Sequence, residues 1–552
     1  MVEKIIWRGN FFFDSLGGNL TFIVILASLV FFLNLNGWDL WNPDEPRYAQ
    51  VAKEMRETGE WILPHLNSEV YPEKPPLFFW LIAFFSFFTG KVDEISARLP
   101  PAISALGCIL LTFFIGKKLF NQRAGFFSAL TLLTSVEFFW LGRRGNIDMT
   151  LSLWIVLALT FFLLGLEERK RPRIFYLIPY IFMGIGVLTK GPVGFLLPFL
   201  TIVIYLVVTK NFRHFKKLEL PWGLVIFAVI VLAWLVPACI EGGETYTRQI
   251  LFRQNLERFA DAWTHQRPFY YYFEVFPAGF IPAIVFLPGA IWWGFSQNQR
   301  EKRLWFYFPF IWFLTVFIFF SLSASKRELY LLPLYPAASL LVGSFLSASF
   351  GSVNSGGMVS KFLLIPFYFL GGAFIVGGIG MGFLPFFKTP LTGIVSFFPH
   401  LFIFLLLFLL GGFLIIFQIR GKNLTASFLF LTFIMVFSFL GAIGVVLPSL
   451  NPLKSAKPLC QTIVRHLPPG KELVAYGIKV APFNFYTGWN KIRELESEEE
   501  LKVEFNSPSV GLILLGENNF LKFQKKSLIP ANIAIIDKRK IGHRSFILLG
   551  KN

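Results

Sequence analysis

Charge is scarce in this sequence. Asp, Glu, Lys and Arg make up only 15% of its 552 residues, where a soluble globular domain carries about 25%. Set beside 55% hydrophobic residues and a mean hydropathy of +0.61, that scarcity excludes a cytosolic enzyme and a disordered chain. It points to a polytopic membrane protein. Cysteine is scarcer still. Cys108, Cys239 and Cys460 make no disulfide framework and no zinc box, and leave only a Cys239–Cys460 bridge open. Cys108 lies in an apolar run and reads as a small core residue. No Walker loop and no G-x-G-x-x-G sits on a strand–turn–helix unit, so a nucleotide site has no support. Acidic residues are in deficit, 33 against 51 basic ones, for a net charge of +18. In a soluble protein that excess would suggest nucleic acid. Here much of it lies between apolar runs, where it sets orientation, and no nucleic-acid partner is expected.

Apolar sequence is abundant. The first run, Leu20 to Leu35, is preceded by Lys4 and Arg8, and no small-residue cleavage site follows it. It reads as an uncleaved span with a cytoplasmic N-terminus. Further runs lie near 97–116, 124–141, 149–166, 174–189, 192–208, 220–240, 270–295, 304–322, 329–349, 362–385, 397–417 and 424–447, thirteen spans with the first. Leu77 to Thr89 is different: its thirteen residues reach ~20 Å as a helix, short of the ~30 Å hydrocarbon core. If it does not cross, the basic clusters at 117–123, 169–173, 210–217, 300–303 and 420–422 share the side of Lys4 and Arg8, as the positive-inside rule favours. The run is therefore read as interfacial or re-entrant. The pairs Gly371-Gly372 and Gly377-Gly378 read as sites of close helix packing.

This topology collects the outward loops. The segment 36–96 carries Trp41-Asn42-Pro43-Asp44-Glu45-Pro46-Arg47-Tyr48 and Tyr71-Pro72-Glu73-Lys74-Pro75-Pro76. The next outward loop carries Arg143-Arg144-Gly145-Asn146-Ile147-Asp148, and Lys190-Gly191-Pro192 forms a turn. The segment 241–269 holds Arg253, the run Asn255-Leu256-Glu257-Arg258-Phe259, and His265; Ser325-Lys326-Arg327-Glu328-Leu329-Tyr330 follows. Carboxylates and guanidinium groups gathered on one face suit chemistry on an anionic substrate at the membrane surface. A carboxylate can accept the proton of an attacking hydroxyl. Arg and Lys can hold a phosphate, and a phosphate neutralised in that way leaves readily. A lipid-phosphate-linked donor arriving through the bilayer fits better than a nucleotide outside the cytoplasm.

The stretches WNPDEPRYAQVAKEM, GEWILPHLNSEVYPEKPPLFFW, ARLPPAISAL, RRGNIDM, LTKGPVGF, NLERF and SKRELYLLPLYPA follow one another between about residues 38 and 340. In that order they resemble the GT-C polyprenyl-phosphate-sugar glycosyltransferases, and more narrowly the branch of the protein O-mannosyltransferase superfamily that includes the aminoarabinose lipid A transferases. The resemblance implies an integral-membrane enzyme that moves a sugar from polyprenyl (undecaprenyl) phosphate to an extracytoplasmic acceptor, with inversion at the anomeric carbon. It implies that Asp44 is the general base or acceptor-positioning group and Asp148 the second acidic position. Arg47 and Lys74 are implied to bind the polyprenyl phosphate, Arg258 to contact phosphate or sugar, and Arg327 and Tyr330 to lie near the donor pocket. Glu73 matches the acidic half of a Glu-Lys-Pro turn that in some relatives helps bind a metal, so a divalent metal is the one cofactor raised. Two departures matter. Arg253 and Gln254 stand where some relatives have a His, and Lys326-Arg327-Glu328-Leu329-Tyr330 replaces a Lys-Leu-Pro-Thr-Tyr pattern. The acceptor therefore stays open between lipid A, another glycan and a protein.

Each residue also has a plainer reading. Asp44 ahead of Pro46 suits a helix start, and Asp148 could cap the next span. Arg143 and Arg144 could bind lipid headgroups. Lys190 could snorkel to the interface or sit beside a lipid phosphate. His265 is read as a hydrogen-bonding loop residue or a ligand. Tyr48, on the helix that Asp44 opens, is grouped with the substrate-binding residues.

From residue 451 the sequence changes character. Strand-length runs at 472–476, 510–516, 533–537 and 546–549 alternate with helical patterns near 455–467 and 495–504, which suggests a small α/β domain. It carries 16 Lys and Arg against nine Asp and Glu. The expected fold is thus an α-helical polytopic membrane protein of GT-C type. Its transmembrane catalytic domain is expected over 1–450 and a periplasmic α/β domain over 451–552, in a bacterial inner membrane. The rival from another class is a lipid or solute transporter. That would place ionisable residues at mid-span on broken helices, with internal repeats. Here most charges lie at span ends and no repeat is evident; Glu137 and Lys190 are the residues most open to that alternative.

Overall fold

The computed structural model describes residues 15–167, 172–251, 266–297, 300–350, 358–383 and 398–551. Arg258 and His265, together with Lys4 and Arg8, lie outside the described residues. The chain is mostly helical and forms two compact units. One comprises Met1–Asn34, Glu73–Phe78 and Pro100–Val445, the other Leu35–Pro72, Phe79–Leu99 and Val446–Asn552.

Among the described residues nine helices are long and apolar enough to cross a membrane, or up to eleven if each of two bent pairs is one span. The chain has the make-up of a multi-pass membrane protein. The helices that position functional residues are α1 (Leu16–Phe32), α2 (Glu45–Thr58), α3 (Leu77–Thr89), α4 (Glu94–Leu119), α5 (Ile147–Glu167) and α6 (Pro172–Lys190). Helix α1 opens on Ser15, whose Oγ accepts the Gly18 N–H at 2.9 Å, a serine N-cap.

Two runs expected as single spans are broken. Gln122–Leu133 and Val136–Gly142 meet at 69°. Thr134 and Ser135 turn their hydroxyls back onto the Leu130 and Thr131 carbonyls, at 2.8 and 2.9 Å. The Ser135 backbone is extended, and the Val136 N–H leaves the helix to bond Ile281 O at 3.2 Å. Local hydroxyl–carbonyl bonds of this kind compete with the helix ladder. The second run splits into Tyr271–Gly279 and Ala283–Phe295, bent by 108°. Pro277, Pro282 and Pro288 each remove a backbone donor along it. Of the paired glycines, Gly371 and Gly378 do face Phe398–Arg420: a Cβ there would meet Ile416 at 2.7 Å and Leu409 at 2.9 Å, while Gly372 faces open space. The close helix approach therefore rests on one glycine of each pair.

In the second unit α2 ends at Gly59, left-handed at φ 78°, whose N–H bonds Met55 O at 3.0 Å; glycine is the residue that adopts this at no steric cost. The hairpin β1 (His65–Leu66) and β2 (Glu69–Val70) follows. Residues 472–551 build a five-stranded mixed sheet from β3 (Glu472–Tyr476), β4 (Arg493–Leu495), β5 (Val510–Gly516), β6 (Ile533–Ile541) and β7 (Arg544–Lys551), in the order β4-β3-β5-β7-β6. The β3 pairings are parallel and the β5–β7 and β6–β7 pairings antiparallel. Alternation sends Leu473, Ala475, Leu512 and Leu514 to one core, with Leu459 and Ile463 of Lys457–His466. It sends Val474, Ile513 and Leu515 to the other, with Phe505 and Phe523. All three cysteines are free thiols, so the bridge left open above is not made, and Cys460 is buried in the first of these cores.

Candidate active site

Asp44 immediately precedes α2, where an acid commonly caps a helix. Its side chain makes no cap hydrogen bond. It accepts instead from Arg47 Nη2 at 2.6 Å, one turn along. The Arg47 guanidinium lies 5.2 Å over the Tyr48 ring. That ring is buried and 5.8 Å from Phe79. The three expected residues of this motif thus form one continuous contact, and the carboxylate does not cap the helix.

Behind them stands a pair the sequence reading did not single out. Glu45 and Arg98 are both almost wholly buried. Arg98 Nε meets Glu45 Oε1 at 2.8 Å and Nη2 meets Oε2 at 3.3 Å. The same guanidinium donates to the carbonyls of Leu35, Trp38 and Asp39 at 2.7, 2.8 and 2.8 Å, and lies 4.4 Å over the Trp38 ring. One side chain therefore fastens the segment that leads into Asp44. Its only sequence signal is an Arg inside an apolar run just ahead of Pro100-Pro101. Further along α2, Glu54 accepts from the Asn67 and Ser68 N–H groups at 2.9 and 3.0 Å and from Gln50 Nε2 at 2.8 Å. It ties the hairpin to the helix.

In the other unit Asp148 lies in the first turn of α5 and does not cap it. Asn146 does, accepting the Met149 N–H at 3.2 Å. The Asp148 carboxylate accepts from Lys190 Nζ, the last residue of α6. Nζ also stands 4.1 Å from the centroid of the Tyr330 ring, a cation–π contact. Arg327 opens the 3-10 helix Glu328–Leu334, and its carbonyl accepts from the Tyr272 hydroxyl at 3.1 Å. Its neighbour Lys326 is the buried one, with Nζ directed to the carbonyls of Arg267, at 3.2 Å, and Ser323. Burial holds its ammonium below the ordinary value.

Arg143 is buried and donates to backbone: Nη1 to Val30 O and Nη2 to Leu33 O, each at 2.5 Å, with Asn34 O at 3.4 Å. These are the carbonyls at the end of α1, where a cation is favourable. The Arg144 guanidinium lies 4.8 Å over Trp140. Glu73 and Lys74 are half-buried in the turn before α3. Among the described residues no three His, Cys, Asp or Glu side chains converge to hold a metal. Glu73 therefore belongs to no such group among the described residues, and no step below runs through a metal.

The family described as dolichyl-phosphate-mannose-protein mannosyltransferase matches residues 73–239. The undecaprenyl phosphate-alpha-4-amino-4-deoxy-L-arabinose arabinosyl transferase of Pectobacterium atrosepticum is 29% identical over 391 residues, 68% of this chain and 69% of that protein. The same-named protein of Pectobacterium carotovorum is 28% identical over 331 residues, and the match spans 59% of each chain. Among solved structures, ArnT from Cupriavidus metallidurans bound to undecaprenyl phosphate aligns with a TM-score of 0.80 at 21% identity, over 97% of this chain and 98% of that one. That likeness shows the fold across nearly the whole chain. In sequence and in fold the chain is similar to the GT-C polyprenyl-phosphate-sugar glycosyltransferases, on the side of the aminoarabinose transferases.

Proposed function

We propose that the protein is an integral-membrane glycosyltransferase that transfers a sugar from undecaprenyl phosphate to an extracytoplasmic acceptor, lipid A or a related glycan. The observation that carries the site assignment is shared by both acids. Asp44 and Asp148 each begin a helix without capping it, and each faces a cation, Arg47 or Lys190. In the reaction an acceptor oxygen attacks the anomeric carbon as the bond from that carbon to the phosphate oxygen breaks, and undecaprenyl phosphate departs. Asp44 takes the proton of a hydroxyl acceptor or orients it, with Asp148 in support. An acceptor that is itself an ionised phosphate needs only the orientation. Arg47, Lys74 and Arg258 neutralise the departing phosphate, and Tyr48, Lys190, Arg327, Tyr330 and His265 line the donor and acceptor. Arg143 is assigned to the end of α1 on the strength of its backbone contacts.

The nine long helices and two bent pairs, with Leu16–Phe32 and Val193–Val208 taken as crossings, make thirteen spans in this reading, and Leu77–Thr89 stays interfacial. The N-terminus is cytoplasmic. The transmembrane domain runs over 1–450, and the mixed sheet belongs to a periplasmic domain over 451–552. A protein acceptor is the second reading, favoured by the description of the family that matches residues 73–239. Transfer of radiolabel from an undecaprenyl-phosphate sugar to lipid A or to peptide, in detergent, tests both. Asp44→Asn and Asp148→Asn are each expected to cut turnover at least about 100-fold. Intact turnover in both would remove the assigned carboxylates.

A further inference from the structure

Charge is laid out unevenly across the mixed sheet. Of the nine acids beyond residue 450, seven lie between residues 472 and 504, the stretch that forms β3, β4 and the helix Glu498–Asn506. Strand β4 is one edge of the sheet and β6 the other, four strand spacings or about 19 Å apart. The two remaining acids each hold a cation of β6. Asp537 meets Arg539 Nε at 2.8 Å, and Glu517 meets Lys538 Nζ at 2.5 Å. Lys540 on β6 and Arg544 on β7 flank the turn at Gly542-His543. Both are exposed, and among the described residues neither has a carboxylate within ion-pair distance.

That turn is fastened to the chain just past the last apolar span. The span Leu424–Ser449 is followed by the short helix Asn451–Lys454, whose Leu453 carbonyl accepts the Gly542 N–H at 2.7 Å. The helix Lys457–His466 also packs on β6, and its Thr462 hydroxyl donates to Asp537 at 3.0 Å. The turn therefore lies one short helix from the point where the thirteen-span reading has the chain leave the membrane. Lys454 is exposed and, among the described residues, likewise has no carboxylate within ion-pair distance. Leu453 beside it is 45% exposed. Lys457 is matched by Asp39 at 3.2 Å and adds no charge. Five cations, Lys454, Lys538, Arg539, Lys540 and Arg544, thus stand against Asp537 and Glu517, which leaves three positive charges. Cations around an exposed apolar side chain at the end of a span suit a surface resting in anionic headgroups.

We propose that the β6–β7 turn, together with Lys454, docks on anionic phospholipid headgroups of the leaflet at which the last span ends. The docking involves no sugar transfer, so it stands or falls apart from the transferase reading.

The test uses the full-length protein in nanodiscs of phosphatidylcholine alone and of phosphatidylcholine mixed with phosphatidylglycerol. Backbone hydrogen exchange over residues 538–545, read by mass spectrometry, is expected to be slower in the mixed discs, and the slowing should fade as salt is raised. Lys454→Gln and Lys540→Gln, on separate elements, should each reduce the slowing about fivefold, while Lys540→Arg should keep it. Lys525→Gln, which removes an equal charge from the exposed end of Glu517–Lys525, should leave it unchanged. Equal exchange in the two kinds of disc overturns the proposal. So does slowing that survives both Gln variants, or that Lys525→Gln reduces as much, since net charge rather than this surface would then be at work. Slowing in phosphatidylcholine discs on adding glucosamine phosphate would assign the turn to a soluble phosphorylated glycan and would equally overturn the lipid docking.

Discussion

Lys190 and Asp148 are 42 residues apart and joined by a direct ion pair. The carboxylate stands in the first turn of α5 and the ammonium at the last position of α6, consecutive helices that pack along their length. Each charge is of the sign that its own helix end favours, so the pair satisfies both helix ends as well as itself. Both side chains are nearly buried, at 12% and 7% exposure. At that depth a charge without its partner is expensive.

Removing the ammonium should therefore expose how the pair works. Lys190→Met is expected to slow sugar transfer about 100-fold. The double variant with Asp148→Asn should be no slower than the slower single variant, because groups that act as a unit are not additive. Steady-state rates from the four proteins of this cycle decide it. Losses that multiply would mean that the two side chains serve the reaction separately.

Arg98→Met leaves Glu45 buried without its cation and withdraws the donors from the carbonyls of Leu35, Trp38 and Asp39. Breaking a buried pair in this way costs roughly 3–5 kcal/mol. Arg98→Lys should recover little of it, because an ammonium cannot reproduce the two-pronged contact with Glu45. Thermal unfolding in detergent measures both variants. An unchanged midpoint in Arg98→Met would sink the claim that this side chain fastens the segment leading into Asp44.

How much of this was legible in the sequence depended on range. The spanning runs were readable because a lipid-facing helix is apolar whatever it packs against. The breaks at Thr134-Ser135 and Gly279–Ala283 were not, because they turn on two hydroxyls and a few prolines that barely alter composition. Asp44 and Asp148 stood out as acids at the ends of apolar runs, and Arg47 lies within one helical turn of Asp44. The partners of Asp148 and Glu45 lie 42 and 53 residues away, and no local spacing announces them. Asn146 taking over the cap of α5 was equally invisible, since either residue could have served.

The mixed sheet offers a pH test. Lys522 and Lys526 donate to the exposed Glu498 carboxylate and hold it down to about 2. A carboxyl lowered on folding contributes stability above its unfolded value, and loses that contribution as pH falls from the usual carboxylate range through about 2. Glu498→Gln should thus lower stability near neutrality by a small increment, because exposed pairs are weak, and leave it unchanged below about pH 2. Carboxyl chemical shifts of Glu498, followed by NMR on the full chain down to acid pH, check it. A midpoint in the ordinary glutamate range would contradict the two-lysine contact.

Arg143 separates a structural from a substrate role. Its guanidinium spans the carbonyls of Val30 and Leu33 at the end of α1, a geometry that a single ammonium cannot match. Arg143→Lys is expected to lower stability by about 1.5–3 kcal/mol and to leave the KM for the undecaprenyl-phosphate sugar where it was. A residue that gripped the donor phosphate would behave the opposite way, with donor KM rising and the unfolding midpoint unmoved. The two readouts can be taken on the same purified variant, and because they move in opposite senses for the two roles, one protein decides between them.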